Sequence, residues 1–292
     1  MVNEFGIAAD FRPRAFLYLA GDELGPADLR EEQRLRQHLR IEGLYLDEGE
    51  LAARGSIRKA GLLHPGSAAA DPVKLARGLL HEAVKCAAVI GSPAVAGVYQ
   101  TTTDRVTIET REGDVIPART LVLANGYEMP DLVAAARHSL VSSWVIATAP
   151  AQATCVPWSD GALVREASGP YLYIRSTADR RIVIGGEDEE FSDPVKRQQM
   201  TSQKIEALLA KAAKRCPGIS GVTPEFTWTG VLGEADESRP MIGQVLGRPN
   251  CLAAVGYGGN GITFSAMAAD LLEAELEGRP NEDAALDAPD RD

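Results

Sequence analysis

The 292-residue chain is 45% hydrophobic and 24% charged, with a formal net charge of −11 and a pI of about 5.0. That is globular composition, sized for one large domain or two ordinary ones. The acidic balance argues against nucleic acid or an anionic membrane as the main partner, and no run approaches the roughly eighteen apolar residues of a membrane span.

The N-terminus, MVNEFGIAADFRPRAF, lacks the basic-then-apolar layout of a secretory signal. Cys86, Cys155, Cys216 and Cys251 are far apart, and His38, His64, His81 and His138 are scattered without ligand spacing. A cytoplasmic, thiol-reduced protein without zinc is the expectation.

In chain order, residues 5–20 read as two strands around Arg12-Pro13-Arg14. Residues 26–40 read as a charged helix opened by Pro26, and 47–54 as a short helix capped by Asp47 with Glu50 three residues later. A glycine-broken stretch runs to Ala70. Asp71-Pro72 then opens a helix, with Asp71 as N-cap. Residues 89–126 suggest an antiparallel meander. Within it, Leu121–Ala124 is a continuous apolar strand of the kind buried on both faces, ending in the turn signal Asn125-Gly126. A second β region spans about 139–191, with the acidic run at 187–190 read as a solvated turn. Pro194 to about Cys216 is a helix stopped by Pro217-Gly218, and the segments EFTWTGVLG and SRPMIGQVLG follow.

The stretch from Cys251 to Ser265 organises the rest. CLAAV is a short buried strand, four glycines follow in six residues, and 262–278 repeats apolar residues Ile262, Met267, Leu271, Leu272 and Leu276 at helical spacing. Strand, glycine turn and helix together aim backbone N–H groups from a positive helix end, with no side chains to hold a ligand away. Gly256, Gly258 and Gly261 satisfy G-x-G-x-x-G, but no strand follows the helix in the polar segment after Gly278, so this is not the first turn of a βαβ nucleotide fold.

Several pieces in order resemble the FAD-dependent amine and amino-acid oxidoreductases of the D-amino acid oxidase type, the class that includes glycine oxidase and sarcosine oxidase. They are Asp71-Pro72-x-Lys74-Leu-Ala-Arg77, Pro93-Ala-Val95, Ala118-Arg-x-Leu-Val-Leu-Ala124-Asn-Gly126, Tyr171-x-Tyr-Ile-Arg175-x-Thr-x-Asp179, Ile184-Gly-Gly186-Glu-Asp188, Trp228-x-Gly230 with Pro240-x-Ile-Gly243, and Gly256-Tyr-Gly-Gly-Asn-Gly-Ile-Thr-Phe-Ser265. The resemblance implies an α/β (α+β) fold. An incomplete Rossmann-like FAD-binding lobe (60–135 and 240–278) would be interleaved with a mixed, largely antiparallel substrate lobe (1–59 and 136–239), leaving 279–292 as a polar tail.

It also implies roles. Gly256, Gly258, Gly259, Asn260, Gly261, Ile262 and Thr263 would lie against the flavin, with Ala124, Asn125 and Gly126 beside it. Val95 would meet the adenine through its backbone. Trp144, Tyr173 and Arg175 would build the substrate face, the arginine pairing a carboxylate and the aromatics boxing an amine. FAD would be noncovalent, since no cysteine lies near 230–240. The carboxylate-binding arginine of glycine-oxidase-like members, shortly after W-x-G, is also missing: Val231–Ala235 has none before Arg239. No catalytic acid or base is assigned.

The family begins with a βαβ unit whose glycine turn holds the FAD pyrophosphate, and the matched pieces begin downstream of it. The leading expectation is a truncated or split FAD-dependent oxidoreductase acting on an amine or amino acid, the split form taking its nucleotide-binding half from a further chain. The alternative is a non-catalytic remnant or a partner-binding subunit that does not hold FAD by itself.

Overall fold

The structure, a computed structural model, describes residues 2–129, 133, 138–151, 161–235, 239–284 and 288–289. It divides into two compact units: Met1–Glu82, Ser142–Glu189 and Asp193–Gly230 form one, and Ala83–Val141, Glu190–Ser192 and Val231–Asp292 the other. The elements in order are β1 (Arg12–Leu19), α1 (Pro26–His38), β2 (Leu44–Leu46), α2 (Glu48–Arg54), β3 (Gly61–Ala69), α3 (Pro72–Lys85), β4 (Ala96–Thr101), β5 (Val106–Thr110), β6 (Val115–Ala118), β7 (Leu121–Gly126), β8 (His138–Thr148), β9 (Leu163–Glu166), β10 (Leu172–Ser176), β11 (Ile182–Glu189), α4 (Pro194–Arg215), β12 (Pro224–Ala235), β13 (Met241–Gln244), β14 (Cys251–Val255) and α5 (Gly261–Leu276).

The first unit is built on an eight-stranded mixed sheet in the order β12-β8-β11-β10-β9-β1-β3-β2; β1 and β9 are parallel. Strand alternation decides its two faces. Ile146, Ile174 and Ile184 share one face and are fully buried, and α4 packs on β10 and β11 with Leu208 and Ala212 buried. Asp193 caps α4 by accepting from the Val195 and Lys196 N–H groups, and Pro194 occupies its first turn. Asp47 and Glu50 form the expected capping box of α2, and Asp71 accepts from Val73 and Lys74 at the start of α3.

Two local readings change. Residues 5–20 give one strand, β1, which includes Pro13. Pro13 pairs with Ala68 on β3, and β9 joins the other edge of β1 only from Phe16 onward, so the missing proline N–H falls where that edge is free. The stretch before Ala70 is strand β3, held by β1 and β2 despite its Pro65 and Gly66. Because β3 pairs with β1, residues 60–82 belong to the first unit rather than to the lobe expected to bind FAD, while 136–141 and 231–239 fall in the second unit.

The second unit carries two three-stranded sheets, β4-β5-β6 and β13-β14-β7. The expected meander therefore stops at β6, and β7 leaves it to run parallel to β14. β14 is buried along its whole length, with Ala254 against α5 and Cys251, Ala253 and Val255 in a cluster with Leu123, Ala235 and Met241. β7 does not share that burial. Only Leu123 is inside, and Val122 is 40% exposed, because among the described residues β7 pairs with β14 alone. Helix α5 ends in a Schellman motif at Gly278 (φ +67), where Arg279 N–H bonds Ala274 C=O and Gly278 N–H bonds Glu275 C=O. Its buried face is Ala268, Leu271 and Ala274; Ile262, Met267 and Leu276 point outward, since small alanines bring the helix close to β13 and β14.

Near the C-terminus Pro289 is buried, and Ala284, Ala288 and Pro289 help line a cavity of about 550 Å³ with Ile242, Val245 and Leu271. Among the described residues no helix is long and apolar enough to cross a membrane.

Candidate functional site

Within the second unit, two expected stretches come together. β7 and β14 are parallel neighbours with Val255 opposite Gly126, so Ala124-Asn125-Gly126 and the glycine turn after Val255 leave the same end of the sheet. The C-terminal edge of parallel strands is where ligands sit in open α/β sheets. Gly126 (φ +67), Gly256 (φ +78) and Gly258 (φ +54) all use the left-handed region that glycine tolerates. At Gly256 a Cβ would lie 2.9 Å from that of Ala235, so this glycine is also required for packing. At Gly126 and Gly261 a Cβ would meet nothing closer than Tyr257 Cβ, at 4.0 Å from Gly261, so the space beside them is open.

A 3-10 turn, Gly258–Asn260, leads into α5. Asn260 is the N-cap, and its side chain makes no capping hydrogen bond. Gly259, Asn260, Ile262 and Thr263 are exposed there. Tyr257 bridges to Glu234 on β12. His138 packs on Gly233 of the same strand, beside Tyr127; its Nε2 is buried without a partner, and burial lowers its pKa. Val95 stands at the entrance to β4, half exposed, with its carbonyl accepting from Arg111 N–H at 2.9 Å.

In the first unit the expected substrate trio divides. Tyr173 and Arg175 share one face of β10 by alternation. Tyr173 faces Gly185 across β11 and lies flat on it: a Cβ at Gly185 would be 2.2 Å from the phenol oxygen. Val145, Ala147 and Val183 complete this face. Trp144 is on the other side. Its register partner is Gly186, it is 0% exposed, its Nε1 donates to Arg197 C=O at 3.4 Å, and Lys204 Nζ lies 5.1 Å from the ring centre. Trp144 is core beneath α4 and cannot box a ligand beside Arg175.

The acidic run at 187–190 is not a solvated turn. Glu187 is buried and pairs with Lys204 and Lys211 of α4. Asp188 sits beside the Ser143 and Tyr171 hydroxyls, and burial raises its pKa. Burial, reinforced by Asp188, pushes the Tyr173 phenol up to about 12 and Tyr171 higher still. Arg165 lies 4.5 Å over the Tyr171 ring. These groups escaped sequence reading because alternation alone assigns 187 and 188 to the wrong faces; a glycine followed by two acids at a strand end was the signal.

Residues 1–275 match the DAO family, FAD dependent oxidoreductase. The chain belongs to this family. A glycine oxidase of Bacillus licheniformis is 26% identical over 133 residues, which is 45% of this chain and 35% of that protein. Among solved structures, glycine oxidase from Geobacillus kaustophilus superposes with a TM-score of 0.86 at 18% identity over 100% of this chain and 79% of its own. L-proline dehydrogenase from P. horikoshii gives 0.82 at 14% identity (99% of this chain, 78% of its own), and iminodiacetate oxidase from Chelativorans sp. BNC1 gives 0.76 at 21% (96% and 78%). These likenesses show the fold.

FAD is the cofactor of the family, and the open glycines at two parallel strand ends, with the start of α5 beside them, leave room for a planar group.

Proposed function

We propose that this chain supplies the flavin-facing and substrate-facing parts of an FAD-dependent oxidoreductase acting on an amine or amino acid. The observation that carries this reading is the convergence of Asn125-Gly126 and Gly256–Gly261 at one end of β7 and β14, beside the start of α5. The relatives are named for glycine, proline and iminodiacetate, all amino or imino acids. The chemistry that FAD supplies when bound is acceptance of a hydride, at N5, from the carbon beside a neutral amine, leaving an imine for hydrolysis.

This chain's residues bind and orient. The N–H groups of Gly261, Ile262 and Thr263 stabilise negative charge at the ring edge, as a helix start does for an anion. Gly256, Gly258, Gly259 and Asn260 shape the approach, Ala124, Asn125 and Gly126 border the ring, and the Val95 backbone meets the adenine. Arg175 pairs the substrate carboxylate, with Tyr173 beside it. Trp144 takes no part beyond supporting β8. The buried thiols of Cys216 and Cys251 suit a reduced, cytoplasmic setting.

The open edge of β7 and the exposed Val122 favour a further element of the reading: a nucleotide-binding unit, in the same polypeptide or in a partner, adds a strand there and holds the FAD pyrophosphate. Several charge-assisted hydrogen bonds, at roughly 1.5–3 kcal/mol each, would come from that unit, so the 292 residues alone should retain little FAD.

The test is the visible spectrum of the purified chain, with and without a G-x-G-x-x-G βαβ unit. Gain of FAD and amine-dependent bleaching on addition support the proposal. A yellow chain with near one FAD by itself removes the need for the added unit. A chain that binds the unit but never bleaches with amines supports a partner-binding subunit instead.

A further inference from the structure

β11 ends in a bulge that exchanges two faces. Strict alternation from Val183 and Gly185 would send residue 187 to the Tyr173 face and 188 to the α4 face. Instead the register breaks between Gly186, opposite Trp144, and Glu189, opposite Ser142. Gly186 (φ +130) and Glu187 (φ +57) leave the β region there. A glutamate with positive φ is costly, and bulges commonly serve to re-aim a side chain. The outcome is that Glu187 turns to Lys204 and Lys211 on α4, while Asp188 turns to Ser143 and Tyr171.

We propose that Asp188 is a positioning residue for the substrate face: the bulge brings its carboxyl to the Ser143 and Tyr171 hydroxyls, and through Tyr171 it fixes the row Arg165, Tyr171 and Tyr173 that leads to Arg175. The inference rests on the reading that the Tyr173–Arg175 face meets substrate.

The geometry supports each link. Arg165 is stacked 4.5 Å over Tyr171, and the Tyr171 and Tyr173 rings are 6.3 Å apart and tilted by 33°. Tyr173 in turn is pinned flat on Gly185. Asp188 Oδ1 is buried and has no hydrogen-bond partner, which is tolerable for a carboxyl that keeps a proton more readily than usual. The charged and titratable groups facing it are Tyr171 just before β10, Tyr173 from β10, Arg165 from β9 and Lys204 from α4. Asp188→Asn removes the carboxylate charge that both hydroxyls face and so weakens its hold on the row.

Two measurements decide it. The first is an alkaline absorbance titration of the tyrosines in the 292-residue chain, without FAD or substrate, for the parent, Asp188→Asn, Tyr171→Phe and Glu187→Gln. The negative charge of Asp188 opposes tyrosinate formation, so Asp188→Asn should shift part of the tyrosine titration down by about half a pH unit or more. That shift should shrink in the Asp188→Asn, Tyr171→Phe double variant and be absent in Glu187→Gln. A titration like the parent's in Asp188→Asn overturns the coupling.

The second is turnover of glycine, L-proline or iminodiacetate by the assembled holoenzyme. Asp188→Asn should raise KM about tenfold with kcat within about threefold. Glu187→Gln, whose role is to hold α4, should keep both. Equal behaviour of the two variants overturns the positioning role. A shifted tyrosine titration together with a parent that turns over none of the amines sinks the substrate-face reading and leaves the coupling standing.

Discussion

The two units solve the same packing problem with different completeness. In the first, β8, β10 and β11 bury Ile146, Ile174 and Ile184 beneath α4, and each of these strands has a neighbour on both sides. In the second, β14 reaches the same density, but its parallel neighbour β7 leaves Val122, Ala124, Asn125 and Gly126 exposed. Apolar sequence of similar quality thus has two fates, and the number of neighbours decides between them. The start of α5 and the open glycines lie at that less covered region, where a large planar ligand could sit without displacing core.

Substitutions in both units would break or sharpen this contrast. Trp144→Ala in the first unit should cost about 4 kcal/mol of unfolding free energy in a urea titration, as expected for a fully buried indole. A loss below about 1 kcal/mol would return Trp144 to the surface side of the sheet. Leu252 and Val122 are register partners on β14 and β7, at 2% and 40% exposure. Leu252→Ala should cost about 3 kcal/mol and Val122→Ala less than about 1 kcal/mol; equal costs would show that β7 is covered as well as β14.

The glycine turn offers a finer comparison. Gly256→Val forces a β-branched residue to positive φ and against Ala235, and should destabilise by about 2 kcal/mol. Gly261 has φ −52 and free space, so Gly261→Ala should leave stability within about 0.5 kcal/mol while weakening FAD binding in the assembled enzyme. Unchanged FAD affinity there would argue that the open space is not the ring site.

The smallest effect concerns pH. The folded-state pKa of Asp188 lies above its unfolded value, so the native state holds its proton longer, and stability falls as pH rises through the folded pKa. Asp188→Asn should therefore melt higher than the parent at pH 7, with the gap closing toward pH 4, as followed by circular dichroism. A gap that widens on acidification would reverse the sign of the burial effect.

By itself the sequence determined what is local. The Asp47–Glu50 capping box, the Asp71 and Asp193 caps, the stop of α5 at Gly278 and the buried run of Cys251–Val255 all follow from short-range hydrogen bonding and apolar spacing. The ordered motifs also carried the family. What only the tertiary structure decided is what depends on partners distant in sequence. β3 is a strand because β1 and β2 flank it, and β7 leaves the meander because β14 offers a parallel edge. Trp144 is core because Gly186 lies opposite it under α4, and one bulged residue sends Asp188 rather than Glu187 toward Tyr171. A strand's period of two gives each residue a face only when the register is known, and register is set by neighbours, not by the strand's own sequence.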